Sequence, residues 1–502
     1  MKNIPLTLLC LWLTSLLHAQ SKVFKEVGEG ISTSVRSITQ DNALVGYLAF
    51  TRLEKADADS FNYRLSIMDE NLNDIGSLDF RERNLDLQAV SFEQDVLCLG
   101  YIESALAGTV SSRDKEARKA MKEGVTSQVM LQFISLNGKI INKFTTNVEL
   151  SSYSTLTGGY FSASVNMTSY LKYGMQIKNI AGKGFCVFYG DDSKKELLIL
   201  GVDGKLVKRK KIAFDAAGYL LLASSSNMYL LAKDNEDAPE GGFRIYTYSV
   251  YDSVAEYKFD LKDKQGNPLK VIAFDNDPAS GKAFVAGCII NPDRTRDFIS
   301  AHDYSRSPYL GVFTLEIGNT KKELKPVYSY WNNGALPGIS QDGLFADKGF
   351  FVKYATAFKD YNGNTVFAGT ALVEKKLLGA AKYKCADGVF VLQDNAGKLK
   401  LDNNIPCDES SYFGPASALT AYDKKSFYKV LNSDTKTNYM IIDDEYNTYV
   451  YNVNKQKVMR VIQHKDGSIK TNVFPAKEGH IMVSEYNRKE KYTRFSIEAL
   501  TD

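Results

Sequence analysis

Proline, tryptophan, histidine and cysteine are all scarce in this chain of 502 residues, which contains 11, 2, 4 and 6 of them, respectively. With so few cysteines for its length, the chain is not a disulfide-dependent scaffold, because such scaffolds are small and rich in cysteine. Charge of one sign is not in excess either, since 62 Lys and Arg face 59 Asp and Glu. That balance excludes the basic surplus of a nucleic-acid binder and the acidic surplus of a solvating tail. We therefore expect no nucleic-acid partner.

Long hydrophobic runs are absent except at the N-terminus. Lys2 precedes the 14-residue apolar stretch 4–17, and Leu17-His18-Ala19 places a small residue before Gln20. This order is typical of a secretory signal peptide, and the run is shorter than the roughly 20 residues of a transmembrane helix. The alternative is a buried N-terminal helix. We predict cleavage after Ala19, a mature domain over 20–502 with no integral membrane segment, and a periplasmic or secreted location.

Most catalytic signatures are also missing. The chain contains no G-x-S-x-G elbow, no phosphate-binding G-x-x-x-x-G-K-[ST] loop and no H-E-x-x-H pair. The three histidines after the signal peptide, His302, His464 and His480, are scattered along the chain. Only His302, in a polar segment beside Asp303, suggests a functional role. The sequence therefore predicts no catalytic residue and no resident cofactor.

What is abundant is strand-forming sequence. Tyr (30) and Phe (27) are frequent, and aromatic and β-branched residues favour strands. Short apolar runs such as ALVGYLAF (43–50), VLCLGYI (96–102) and GFCVFYG (184–190) alternate with turn residues throughout the chain. One segment, 113–122, is dense in helix formers. The sequence predicts an all-β protein.

The strands recur in units of four, spaced 45 to 65 residues apart, which is typical of a β-propeller. Turns of the type Asn137-Gly138 and Asp203-Gly204 join third to fourth strands. The predicted blades are 33–80, 85–145, 174–214, 217–261, 269–331, 349–405, 425–463 and 470–500. The pattern favours eight blades over seven, and the alternative fold is two β-sandwiches in tandem.

The last predicted blade has only three strands. Residues 23–27 at the mature N-terminus supply a fourth if they pair with the strand around 492–500. Such pairing closes the ring and removes the sheet edges that a linear array exposes. We therefore predict a closed propeller in which the first strand completes the last blade.

The resemblance of this chain to a known family rests on three features. They are the signal peptide ending in LLHAQ, the closing segment FPAKEGHIMVSEYNRKEKYTRFSIEAL and the repeated turns. The chain resembles the uncharacterised secreted β-propeller-like proteins of Gram-negative bacteria over its whole mature length. That family implies a propeller and an exported chain, and it assigns no activity and no site.

Long connections fall on one side of the predicted strands. Segments 103–126, 234–242, 291–307 and 374–387 join second to third strands, and 146–173 and 332–348 join one blade to the next. Because neighbouring strands alternate in direction, both connection types emerge at the same end of a propeller, where function normally concentrates. The polar and aromatic side chains there are candidates for partner binding: Tyr153, Tyr160, Phe161, Arg294, Arg296, His302, Tyr304 and Trp331. The alternative is that these aromatics pack the loops onto the propeller.

Two further features remain open from the sequence. Asp360, Asn362 and Asn364 place oxygen atoms at alternate positions, as a calcium site does, although turn capping explains the same pattern. Cys98, Cys186 and Cys288 lie in apolar strands and are expected to be buried. Cys385 and Cys407 lie in loop-like segments, and whether they pair is left open.

The sequence thus favours an exported binding or scaffold propeller that recognises a glycan, a peptide or a protein through long loops. The alternative is a glycan hydrolase with paired carboxylates across the central channel. Such carboxylates come from different blades and leave no local motif, and their separation of about 5 to 10 Å is a structural test.

Overall fold

The computed structural model describes most of the chain after residue 19. The described residues are 20–25, 32–41, 43–57, 60–103, 127–148, 175–190, 195–214, 216, 218–233, 242–250, 256–293, 309–333, 336, 338–345, 349–377, 380–407, 410–413, 425–464 and 467–500. Their strands form eight antiparallel sheets arranged in a ring, a β-propeller. The prediction of eight blades is confirmed.

Four strands make up each of the first four blades. In chain order, the first strand and these blades are β1 (Gln20–Lys25); blade 1 with β2 (Ser32–Gln40), β3 (Ala43–Lys55), β4 (Ser60–Asp69) and β5 (Asp74–Arg83); blade 2 with β6 (Leu85–Glu93), β7 (Val96–Glu103), β8 (Ser127–Ser135) and β9 (Ile140–Val148); blade 3 with β10 (Gln176–Ile180), β11 (Gly184–Gly190), β12 (Lys195–Gly201) and β13 (Leu206–Ile212); and blade 4 with β14 (Gly218–Ala223), β15 (Asn227–Lys233), β16 (Phe243–Ser249) and β17 (Tyr257–Asp260).

The remaining blades follow the same plan, with one extra strand in blade 6. They are blade 5 with β18 (Leu269–Asn276), β19 (Ala283–Ile290), β20 (Tyr309–Glu316) and β21 (Lys325–Tyr330); blade 6 with β22 (Phe351–Lys359), β23 (Thr365–Leu377), β24 (Ala380–Gln393), β25 (Leu399–Ile405) and β26 (Ser410–Phe413); blade 7 with β27 (Ser426–Asn432), β28 (Thr437–Asp443), β29 (Asn447–Asn452) and β30 (Lys457–Gln463); and blade 8 with β31 (Ile469–Pro475), β32 (His480–Asn487) and β33 (Tyr492–Ala499). Two 3-10 turns, at Lys321–Glu323 and Trp331–Asn333, are the helical elements of the described residues.

The first strand of each blade lies nearest the central axis. First strands of successive blades contact one another, as β2 does with β6 and β6 with β10. First-to-second and third-to-fourth connections share one end of the ring, which we call the turn face. Second-to-third connections and those between blades share the other end, which we call the loop face. The strands on either side of the longest connections therefore end on the loop face, as the sequence predicts.

Blade 8 is completed by the N-terminal strand. β1 pairs antiparallel with β33 in the register Gln20 to Ile497 through Lys25 to Tyr492. The order of the sheet is β1-β33-β32-β31, so β1 is the outermost strand. This confirms the predicted closure of the ring by the first strand.

Many turns of this protein share one hydrogen-bonding plan. Asp69, Asp263, Asp360 and Asp394 each accept the backbone N–H groups of the residues two and four positions further on. An aspartate in this position mimics a backbone carbonyl and fixes a tight turn. These aspartates, scattered along the sequence, thus fix the turns at which the strands end.

Hydrophobic clusters fill the spaces between neighbouring blades. Between blades 1 and 2, for example, Phe50 stacks on Tyr63 at a centroid distance of 5.2 Å, beside buried Leu99. Third-to-fourth turns dock on the preceding blade: Asn142 in β9 donates to the Asp203 carbonyl at 3.0 Å. Aromatic residues are abundant because each blade is covered on both faces.

Two expectations about local structure are corrected. Within the segment 374–387, expected to be a loop, residues 374–377 and 380–387 form the paired ends of β23 and β24, in register to Leu377 opposite Ala380. β26, from the connection after blade 6, then pairs with β24 and adds a fifth strand. A hairpin keeps pairing where its two strands stay in register, and composition alone does not reveal that register. The predicted helix at 113–122 lies outside the described residues.

Cys98, Cys186 and Cys288 are fully buried, as the sequence predicts. Cys385 is also buried, Cys407 is partly buried, and all five of these cysteines are free thiols. The pairing left open for Cys385 and Cys407 is not formed in this structure.

Candidate functional site

A large cavity lies on the axis of the propeller, and turns of the turn face contribute much of its lining. Its volume is about 1400 Å³, more than the roughly 300–1,000 Å³ of most small-molecule sites. First-to-second turns of every blade except blade 2 contribute described lining residues, among them Asp41, Ala181, Ser224, Tyr361 and Ser433. The mouth of the cavity is thus formed by short turns that belong to the blades, and each turn is fixed by hydrogen bonds.

Three carboxylates among the described residues line the cavity, and each already has a partner within the protein. Asp277 lies 3.5 Å from the buried ammonium of Lys359, and Glu478 accepts the Ser433 N–H at 2.9 Å. The Asp41 carboxylate accepts from the Asn179 amide at 2.8 Å. These contacts hold neighbouring turns together, so they give all three side chains a structural role. The hydrolase alternative stays a prediction.

One network of hydrogen bonds joins the turns of blades 1, 2 and 3. Asn179 donates both to Asp41 and, at 3.0 Å, to Glu93, which is only 2% exposed. Glu93 also accepts the Gly182 N–H at 2.9 Å. A buried carboxylate needs such donors because losing its hydration without them is costly. The network fixes one side of the cavity mouth.

On the other side of the cavity, Lys429 in β27 forms an ion pair with Asp275 in β18. The two residues belong to blades 7 and 5, so the pair spans the position of blade 6. Lys429 is the only cation among the described lining residues. With its charge neutralised by Asp275, the cavity carries an excess of negative charge from Asp41 and Glu478.

Two polar atoms in the cavity wall have no hydrogen-bond partner among the described residues. They are the hydroxyl of Tyr47, a residue 1% exposed, and the side-chain oxygen of Asn276. Burial raises the pKa of Tyr47, to which the nearby charge of Glu70 adds. Its hydroxyl therefore remains a neutral donor over the ordinary pH range. Both atoms are themselves buried, so they lie within the wall and out of reach of the open cavity.

Of the predicted partner-binding residues, only Trp331 lies within the described residues. It is 2% exposed, and its indole N–H donates to the Tyr309 carbonyl at 3.0 Å. It packs in the cluster between blades 5 and 6 with Leu336 and Phe345 of the following connection. Trp331 is thus a packing residue in this structure. The other candidates lie outside the described residues: Tyr153, Tyr160, Phe161, Arg294, Arg296, His302 and Tyr304.

The proposed calcium ligands form a turn of the kind described above. Asp360 is 4% exposed and accepts from the backbone of Asn362 and Asn364 at 2.9 and 2.8 Å, and from the Asn364 side chain at 3.0 Å. Within the described parts of the chain, no group of three or more His, Cys, Asp or Glu has a metal-binding arrangement. The turn hydrogen bonds account for this pattern, and calcium binding there stays a prediction.

The sequence did not reveal the cavity wall. The signal was present in β2, where Thr33, Val35, Ser37 and Thr39 alternate toward the cavity. In β6, the equivalent strand of blade 2, buried Leu85 and Leu87 fill the space between blades. Hydroxyls in a strand whose counterpart in blade 2 carries buried leucines are consistent with an unfilled space.

A second missed cluster lies at the loop face of blade 7. His464 is 2.8 Å from the Thr448 hydroxyl and 3.2 Å from the Asp443 carboxylate, and its other ring nitrogen contacts the Glu445 carbonyl at 3.1 Å. Burial raises the pKa of Asp443. The backbone contact orients the ring toward Thr448 and Asp443.

Similarity to solved structures is low. A structure titled as the Dos1 propeller has 7% identity, covers 95% of each chain and gives a TM-score of 0.46. The WD40 domain of SCAP from fission yeast has 10% identity, coverage of 96% of this chain and 99% of that one, and a TM-score of 0.41. Apo AztD from Citrobacter koseri has 12% identity, coverage of 90% and 96%, and a TM-score of 0.38. At these values the similarities carry no argument about function.

No curated protein matches the chain. Among the described residues, no helix has the length and apolar character needed to cross a bilayer. At the N-terminal end, residues 1–105 are similar to a family described as a family of unknown function, DUF6770.

Proposed function

We propose that this chain is a binding propeller that holds an uncharged ligand in its axial cavity. The observation that carries the proposal is the cavity itself, about 1400 Å³ in volume and lined by turns of seven blades. Polar side chains of β2, among them Ser37 and Thr39, line its wall and can form hydrogen bonds with a ligand.

The charges of the cavity select the class of ligand. Lys429 is neutralised by Asp275, whereas Asp41 and Glu478 leave negative charge at the mouth. A carboxylate or phosphate would meet this charge, and the described residues that line the cavity offer it no unpaired cation. Hydroxyl and amide groups, by contrast, can donate hydrogen bonds to carboxylates, so neutral glycans or neutral peptides suit the site.

The test is binding to an array that carries neutral glycans, acidic glycans and peptides. Ser37 is exposed to the cavity, so Ser37→Trp fills space there without disturbing a packed residue. We expect Ser37→Trp to abolish array binding. Val207→Trp, at a residue 68% exposed on the outer strand of blade 3, is the matched control and should bind as the unaltered chain does. Equal binding by both variants would refute the cavity as the site.

The loop face is proposed as a second, protein-binding surface. Strand ends there flank the segments that carry Tyr160, Arg296 and the other candidates, which supports a common location. Single alanine variants of Tyr160 and Arg296 should weaken capture of a protein partner while leaving glycan binding in the cavity intact. Unchanged partner capture in both variants would remove this surface from the proposal.

We also propose that the chain is exported after cleavage behind Ala19. In support, β1 begins at Gln20, so the predicted cleavage leaves every described strand whole. A scaffold with both a cavity and a loop face then acts outside the cytoplasm on glycans or proteins found there.

A further inference from the structure

Exposed aliphatic side chains are gathered on one arc of the outer rim of the propeller. Of the nine large hydrophobic residues that are exposed in the described part of the chain, five lie at the start of fourth strands in three successive blades. Single exposed hydrophobic residues are ordinary on a protein surface, whereas a contiguous group marks an interaction site. The five residues are between 40% and 68% exposed, and we call them the rim patch: Ile75 in β5, Ile140 and Ile141 in β9, and Leu206 and Val207 in β13.

Contacts between blades make the rim patch continuous. In blade 1, a Cβ on Gly76 would lie 2.1 Å from the Leu136 carbonyl oxygen, in the turn that leads into β9. In blade 2, the side chain of Asn142 donates to the Asp203 carbonyl at 3.0 Å, in the turn that leads into β13. Gly76 and Asn142 each follow directly on a residue of the patch, so the patch passes from one blade to the next without a gap. All three strand starts lie at the turn face.

The same position has the opposite character in blades 4 to 7. In each of these blades an exposed lysine occupies one of the first two positions of the fourth strand: Lys258, Lys325, Lys400 and Lys457. Lysine on an edge strand prevents pairing with another chain. Leu399 and Val458, the aliphatic residues beside Lys400 and Lys457, are buried and half-buried, respectively. Exposed aliphatic side chains at this position thus distinguish blades 1 to 3 from blades 4 to 7.

Positive charge accompanies the rim patch. The segments 137–143 and 203–212 carry seven lysine and arginine residues and one carboxylate, Asp203. Three further carboxylates pair with cations of these segments: Glu82 with Lys143, Glu196 with Arg209, and Glu256 with Lys210. The two aspartates of β5 each pair with a cation as well. Cations of the two segments therefore exceed the carboxylates by three, which equals the formal net charge of the whole chain.

We infer that the rim patch and the cations around it dock the protein on an anionic lipid surface. The aliphatic side chains enter the boundary between headgroups and acyl chains, and the lysines are attracted to the anionic headgroups. Protection of edge strands accounts for the lysines but not for five exposed aliphatic side chains among them.

The arrangement of the patch favours a lipid surface over a bound peptide. The strand starts of three blades lie at the same end of the ring, so a flat surface reaches all of them together. An extended peptide that pairs with one edge strand reaches only the patch residues of that blade. None of the five residues lines the axial cavity, so this surface is separate from the proposed ligand site.

Vesicle co-sedimentation of the mature chain, which starts at Gln20 and keeps every described strand, tests this inference. The chain should bind vesicles that contain phosphatidylglycerol and not vesicles of phosphatidylcholine alone, and added salt should weaken the binding. Ile141→Thr combined with Val207→Thr keeps branched side chains in the strands and removes aliphatic surface. We expect its partition onto the anionic vesicles to fall about ten-fold. Val461→Thr, at a residue 48% exposed in blade 7, is the control and should bind as the unaltered chain does.

A pair of charge variants separates the site from the net charge of the chain. Lys139→Glu combined with Lys211→Glu reverses two exposed charges beside the rim patch, and binding to the anionic vesicles should fall at least about ten-fold. Lys400→Glu combined with Lys457→Glu changes the net charge by the same amount on blades 6 and 7. Because those positions lie away from the patch, this variant should bind nearly as the unaltered chain does.

Three outcomes would overturn the inference. The first is the absence of binding to phosphatidylglycerol vesicles, and the second is an equal loss of binding in both charge variants, which would reduce the effect to net charge. The third is self-association of the chain that is lost in the variant with Ile141→Thr and Val207→Thr while vesicle binding persists. That result would assign the rim patch to the contact between two copies of this chain.

Discussion

At the scale of single residues, Asp443 is the carboxylate whose surroundings give the clearest electrostatic consequence. Burial raises its pKa above the ordinary 3.8, while Thr448 and His464 act in the opposite direction. In the interval between 3.8 and the raised pKa, the folded chain holds a proton that the unfolded chain has released. Stability must therefore fall as the pH rises through that interval.

Replacing Asp443 by Asn should remove this dependence. The amide oxygen of Asp443→Asn can still accept the Thr448 hydroxyl, and it carries no charge to desolvate. Urea unfolding at several pH values between 4 and 7 should show a smaller loss of stability in the variant. Asp79→Asn is the control, because Arg64 lowers the pKa of exposed Asp79 and its titration lies below this range. An unchanged slope in Asp443→Asn would contradict the argument.

Trp331 should contribute mainly to stability. Trp331→Ala removes a ring that is 2% exposed and the hydrogen bond to the Tyr309 carbonyl. We expect a loss of about 3–5 kcal/mol in unfolding free energy, the usual range for a buried large aromatic. Val207→Ala, at a residue 68% exposed, should cost less than about 1 kcal/mol in the same urea experiment. Similar costs for both would show that Trp331 is not packed as described.

At the scale of elements, turns fix how closely neighbouring blades approach. Gly138 and Gly266 have nearly the same backbone angle, φ +86° and +88°. A Cβ on Gly138 would lie 2.1 Å from the Ser77 carbonyl oxygen of the preceding blade, whereas a Cβ on Gly266 meets nothing within 4 Å. Substitutions at these two glycines can therefore distinguish the cost of backbone strain from the cost of a clash between blades.

Alanine substitution at these two positions should give different costs. Gly266→Ala bears only the strain of a left-handed conformation, about 1–2 kcal/mol. Gly138→Ala bears the same strain and also pushes blade 1 away from blade 2, so its cost should be at least about 3 kcal/mol. Chemical denaturation of both variants measures the difference. Equal costs would mean that the turn does not dock on blade 1.

The limits of the blades could be predicted from the sequence because alternation and turn residues are local signals. The predicted blade 33–80 corresponds to strands from Ser32 to Arg83, and the predicted blade 425–463 to strands from Ser426 to Gln463. The axial cavity could not, because its lining residues lie far apart in the sequence and come together only when the ring closes. Pairing beyond Val373 in β23 depends on register, which local composition does not encode.

At the scale of the whole molecule, closure by β1 should contribute directly to stability. A chain that starts at Gln20 keeps all described strands, and a chain that starts at Glu26 lacks β1 and leaves β33 as an exposed edge. We expect the shorter chain to lose at least about 2 kcal/mol, since strand hydrogen bonds and the Phe24 contact with Phe495 are lost. Urea unfolding and size-exclusion chromatography of both chains provide the test. Equal stability would exclude β1 as a closing strand.

Export should produce a mature N-terminus near Gln20. The full chain expressed in a Gram-negative host should appear in the periplasm or medium, lacking the first 19 residues by mass spectrometry. Retention of residues 1–17 in the exported form would contradict the predicted signal peptide.

The pairing of Gln20 with Ile497 also governs the order in which the molecule can fold. The strand made first by the ribosome must wait for the strand made last, and contacts between such distant segments form slowly. Until β33 has been synthesised, blades 1 to 7 can only form an open arc with its two ends apart. The sheet of blade 8, which joins the first and the last of the described strands, is therefore the last part of the propeller to be completed.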